Sequence, residues 1–164
     1  MDDTVFITVH ATAATAAFIA GLLSGPSGRF LRLYLGSLAV AAAALVPAVL
    51  VDWGSTDAVE RIVFGGLFGL ALVMLLRAGL ALRRRPARTG GPTAAYLDHL
   101  GFTLISLADG FAVVAVIRSG APGWLVAAVA VGVAATGHLA LQAAKRQLVR
   151  QPDGEARRAV PRPV

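Results

Sequence analysis

This sequence predicts an all-α integral membrane bundle of five transmembrane helices, with the N-terminus outside and the C-terminus cytoplasmic. Three observations predict it. The 164 residues are 57% hydrophobic with a mean hydropathy of +0.72. Only 15% are charged, against about a quarter in soluble domains. Between clusters of charge lie apolar runs of about 20 residues, the length that crosses a hydrocarbon core of about 30 Å. Finally, Lys and Arg gather at alternate connections, which orients the spans.

The runs are taken in order. The first covers about 5–23. Met1-Asp2-Asp3 ahead of it is acidic, whereas a secretory signal starts basic, so this run reads as a retained span. Ser24-Gly25-Pro26-Ser27-Gly28 is a turn by composition. The second run, about 30–51, ends at a polar loop, Asp52 to Asp57. The third, about 60–82, ends at Arg83-Arg84-Arg85-Pro86, which opens the longest internal loop. The fourth is about 97–117. After the turn Ser119–Gly123 comes the fifth, about 122–143, with Pro122 at its start. Residues 1–145 thus form one transmembrane domain. Residues 146–164, rich in Arg and Pro and without periodicity, read as a disordered basic tail. Strands are not expected, because barrel strands alternate and run only about 10 residues.

The first and third connections and the tail hold 13 of the 15 Lys and Arg residues. Arg61 and Arg118 are the two on the other side, which also holds Asp2, Asp3, Asp52, Asp57 and Glu60. The net charge of +6 and the pI near 11.3 are therefore a topology signal, and no nucleic-acid partner is expected. The bilayer itself is the first partner. The start of the tail either lies on anionic lipid, each cation adding about 1 kcal/mol, or simply anchors the last span. Trp53 and Trp124 fall at the outer interface, and Tyr34 and Tyr96 near the inner one, where rings with a polar edge serve as anchors. The chain has no cysteine, which excludes disulfides, thiolate metal sites and thiol catalysis.

Helical spacing sorts the faces. Thr4, Thr8, Thr12 and Thr15 form one row of the first span, and His10, Ala14, Ala17 and Gly21 a second. Gly65 and Gly69 make a GxxxG pair in the third span, and Ala128, Gly132 and Ala135 form a row in the fifth. Such rows let helices approach closely, within the chain or between copies in a homo-oligomer or with a membrane-protein partner.

The fourth span carries the residues that call for a function. His99, Thr103, Ser106 and Gly110 share a face, with Asp109 at its edge. An acid at the bilayer centre costs at least about 2.5–3.5 kcal/mol, so this stripe should face protein or a wet cavity. Asp109 lies roughly 12 Å below the outer end of its span and His10 roughly 8 Å below the outer end of its own. The two levels overlap, which puts His10 and Asp109 within reach of each other if the first and fourth helices adjoin. The candidate intramembrane polar site is therefore Asp109, His10, Thr103 and Ser106, holding a proton, a cation or a polar headgroup. The competing reading is a protonated Asp109 that only locks two helices together.

His99 and His138 lie at comparable depth on the inner side, and Gln142 and Lys145 share the face of His138. Two imidazoles across a bundle can ligate a haem iron. Without CxxCH that haem would be a non-covalent haem b. No further ligands cluster for another metal. GxSxG, HExxH and Walker sequences are absent from the chain, so enzymatic chemistry is not expected.

VHATAATAAFIAGLLS followed by RFLRLYLGSLAV resembles the opening two spans of small bacterial multi-span membrane proteins. Some of those carry a His in the first helix and a basic-Tyr-Gly stretch opening the second. In them a His often precedes the basic residue, whereas here Phe30 and Leu31 precede Arg32. The resemblance covers about 50 residues and implies a multi-pass protein of the bacterial cytoplasmic membrane, with no implied activity. The expected function is a non-enzymatic membrane protein, either an accessory subunit or a handler of protons or a small solute. The alternative is a b-haem redox protein using His99 and His138.

Overall fold

The computed structural model describes residues 3–51, 58–87 and 91–149. Five helices account for nearly all of them, and no strand occurs among the described residues: α1 (Asp3–Ser24), α2 (Leu31–Val51), α3 (Ala58–Arg83), α4 (Ala94–Arg118) and α5 (Gly123–Val149). Four stretches are long and apolar enough to cross a membrane: Thr4–Ser24, Gly65–Arg83, Ala94–Arg118 and Gly123–Val149. The corresponding apolar stretch of α2, Leu31–Pro47, is shorter. The loop 52–57, with Trp53, and the tail beyond Val149 lie outside the described residues.

Local chemistry sets the ends. Gly28 takes a φ of 64°, the left-handed region that only glycine enters freely, and its N–H donates to the Ser24 carbonyl at 2.7 Å. The chain reverses there between α1 and α2. Thr93 caps α4, its Oγ1 accepting from the Tyr96 N–H at 3.2 Å. That cap starts α4 three residues before the apolar run does. At the other extreme α5 continues past residue 143 to Val149, so the first residues assigned to the tail are helical. Ala, Lys, Arg, Gln and Leu are good helix formers, and Leu148 packs against the core.

α1 lies along α2, α2 against α3, and α4 touches α1, α3 and α5. Four helices thus enclose a core, and α5 is applied to the outside of α4. Buried residues crowd towards one end, where the α1–α2 and α3–α4 connections and Arg83, Arg84 and Arg85 lie. This basic end gathers Leu31, Tyr34, Ala78, Ala81, Tyr96 and Leu100. Towards the far end packing thins. Residues 65–70 of α3 are all exposed, and α5 has no buried residue.

Tyr34 and Tyr96 are not interface anchors. Both are completely buried, because each hydroxyl finds a partner inside the bundle. The Tyr34 hydroxyl donates to Thr103 Oγ1, and the Tyr96 hydroxyl to the Ser24 carbonyl at 2.7 Å. Trp124, by contrast, is 71% exposed, as a ring at a headgroup level would be.

The small-residue rows divide. Ala14, Ala17 and Gly21 form the buried face of α1, while Thr4, Thr8, Thr12 and Thr15 are exposed. Thr8 and Thr15 turn back to the carbonyls of Thr4 and Ala11. Gly65, Gly69 and Gly132 face open space, so neither GxxxG nor the α5 row packs within the chain. Close approach occurs instead at Gly101 and Gly137. A Cβ on Gly101 would stand 2.6 Å from Leu141, and one on Gly137 2.8 Å from Ile105.

Candidate functional site around Asp109

Of the four residues expected to form a polar site, two tie helices together and a third bonds within its own helix. His10 Nδ1 donates to the Ala41 carbonyl of α2 at 2.8 Å. Thr103 is fully buried, accepts from Tyr34 and donates to the Leu100 carbonyl at 2.9 Å. Ser106 donates to the Phe102 carbonyl of its own helix at 3.0 Å.

Asp109 stands apart. Its Oδ1 is buried and has no hydrogen-bond partner among the described residues. It does not meet His10, although α1 and α4 do adjoin, and helix geometry gives the reason. Phe111 stacks edge-on against Phe18 of α1, with centroids 5.9 Å apart, so Phe111 faces α1. Two residues along an α-helix differ by about 200°, which turns Asp109 to the opposite side of α4.

That opposite side is defined by two neighbours. Arg77 of α3 lies over the Phe102 ring, 4.6 Å from its centroid. Phe102, Ser106 and Asp109 follow at i, i+4 and i+7 and share one face. On the flank, Ile105 meets Gly137 of α5. Asp109 therefore sits on a stripe of α4 lying between α3 and α5. Gly110 beside it has open space where a Cβ would be.

The two histidines of the alternative haem reading do not face each other across a gap among the described residues. α4 and α5 meet in an antiparallel register fixed by Lys145–Asp98 at 2.7 Å, Leu141 on Gly101 and Gly137 on Ile105. In that register His138 lies opposite residue 104 or so, about 7–8 Å along the axis from the level of His99. The seam itself is closed by the two glycine contacts, which leaves no width for a macrocycle between the helices. His138 is exposed, with its Nε2 3.3 Å from Gln142 Nε2. The His99 Nδ1 is buried without a partner among the described residues. Among the described residues no group of three His, Asp or Glu is disposed to hold a metal ion.

Two features escaped the sequence. The Lys145–Asp98 pair joins helices 47 residues apart, and its sequence signal is an acid placed among basic residues on the positive side. The Arg77–Phe102 stack has no sequence signal at all.

Among the described residues, fold and site together define an all-helical bundle with membrane-length helices and a buried carboxyl oxygen without a partner. No protein-family model matches the chain, and no curated protein or solved structure is significantly similar to it.

Proposed function

We propose that this is a five-span protein of the bacterial cytoplasmic membrane, without enzymatic chemistry, that handles a proton or a small cationic solute at Asp109. Its basic end is cytoplasmic and its N-terminus is outside. The 21 residues of α2 reach about 32 Å by helix rise, enough to make it the fifth span. The positive charge at the α1–α2 and α3–α4 connections sets the orientation.

One observation carries the functional part: the buried Asp109 Oδ1 has no partner among the described residues. A carboxyl that merely locked two helices would spend its oxygens on a neighbouring donor, as Tyr34, Tyr96 and His10 spend their polar atoms. An acid left open in a membrane segment marks an ion or proton site. The accessory-subunit and b-haem readings have less support, the second because the α4–α5 seam is closed.

The test uses the full chain in liposomes that enclose a pH-sensitive dye, with a potassium diffusion potential to drive protons inward. The wild-type protein acidifies the lumen, and Asp109→Asn falls to the rate of protein-free vesicles while keeping its thermal stability. Equal acidification by both, or none by either, refutes proton handling.

A further inference from the structure

We infer that the basic end of the α3–α4 groove is a binding site for the phosphate of an anionic phospholipid, held by Arg77 and Arg84 beside His99. The site is on the helices and not on the tail, and it rests on reading this end as a membrane interface.

The charges at this end do not balance. Asp98 is the one carboxylate there among the described residues, and Lys145 already holds its Oδ1 at 2.7 Å. Neither Arg77 nor Arg84 belongs to an ion pair among the described residues. Phe102, on which Arg77 stacks, lies three residues from His99 on the same face of α4, and the His99 Nδ1 is buried without a partner among the described residues. Cations at the edge of a low-dielectric region with no carboxylate to pair them favour an anion.

The geometry suits phosphate. Arg77 and Arg84 are seven residues apart, and Arg84, the residue after α3, still donates its N–H to the Leu80 carbonyl, so the two share a face. Arg77 lies six residues inside Arg83, about 9 Å by helix rise, so its long side chain reaches towards the headgroup level. Stacking on Phe102 at 4.6 Å occupies the face of a guanidinium and leaves its edge N–H groups for a forked bond to phosphate oxygens. The backbone of Arg84 is fixed by bonds to the Leu80 and Ala81 carbonyls, both 3.1 Å.

The occupant is a lipid and not free phosphate, because the same helix offers a path for acyl chains. Leu72, Val73 and Leu76, on the turns leading away from the site, are 52%, 43% and 65% exposed. A phosphate held at Arg77 and Arg84 places its chains along that surface.

The full chain in mild detergent is titrated with short-chain phosphatidylglycerol, and the rise in melting temperature is followed. The titration is repeated with phosphatidylcholine and with inorganic phosphate. The proposal expects phosphatidylglycerol to bind most tightly. It also expects the double variant Arg77→Gln, Arg84→Gln to weaken that binding about 25-fold, about fivefold per arginine. The matched double variant Arg83→Gln, Arg85→Gln removes the same charge from the same end and should weaken it far less. Arg84→Gln alone, at an exposed position that leaves the buried core untouched, gives an intermediate loss. Equal losses in the two double variants would show general attraction to a basic surface and overturn the site. Inorganic phosphate binding as tightly as phosphatidylglycerol would overturn the lipid as its occupant.

Discussion

Tyr34 and Asp109 show two fates of a polar atom inside a helical bundle. The Tyr34 ring is fully buried and its hydroxyl ties α2 to α4 through Thr103. Tyr34→Phe keeps the ring and its packing but deletes the tie, so it should cost about 0.5–1 kcal/mol. Tyr34→Ala also opens a cavity and should cost about 3–5 kcal/mol. Reversible unfolding in mixed micelles measures both, and a Phe variant as damaging as Ala would show that the hydroxyl, not the ring, organises this end. At this scale the sequence was only half legible. Asp109 could be singled out because an acid in an apolar run is conspicuous. The Tyr34–Thr103 tie could not, because a tyrosine near a predicted interface has the same spacing whether it points outward or inward. Pairing His10 with Asp109 failed for a related reason. Depth follows from residue count, but the direction a side chain faces depends on which neighbours a helix acquires.

At the scale of elements, α4 is the helix on which the others are arranged. It meets α1 through Phe111 and α2 through Thr103, and α3 through Phe102 and α5 through Gly101 and Ile105. Its seam with α5 depends on missing side chains. Gly137→Leu puts carbon where Ile105 already lies, 2.8 Å from the new Cβ. It should cost about 1–3 kcal/mol and part α5 from α4. Gly132→Leu, with open space around it, should leave the melting temperature unchanged. Thermal unfolding of the two variants in detergent compares them directly, and equal effects would deny the seam. The helices themselves could be read from the sequence to within a few residues, because hydropathy and turn residues are local. The glycines that matter could not. GxxxG in α3 is the more visible pattern, yet Gly101 and Gly137 make the contacts, since close packing needs a large residue opposite the gap and not merely a gap.

For the whole molecule, charge and packing run along the same axis. The basic end carries Arg29, Arg32 and Arg83–Arg85 and also most of the buried residues. Reporter fusions after residue 90 and after residue 164 should both give cytoplasmic signals, and a periplasmic signal at either would invert the proposed orientation. This asymmetry was legible as charge but not as packing, because the apolar spans are similar in composition from end to end. Only the contacts distinguish a half that faces protein from a half that faces lipid.

The buried residues also have an order in time. Among the described residues none lies beyond Thr103, so every fully buried side chain has been made before α5, whose Leu141 and Leu148 pack against the core from outside. At about 5–20 residues per second, the stretch from Thr103 to Val149 at the end of α5 takes roughly 2–9 s, in which α1–α3 and the first half of α4 can assemble. The later segments, which carry Asp109 and all of α5, are then added to an existing scaffold.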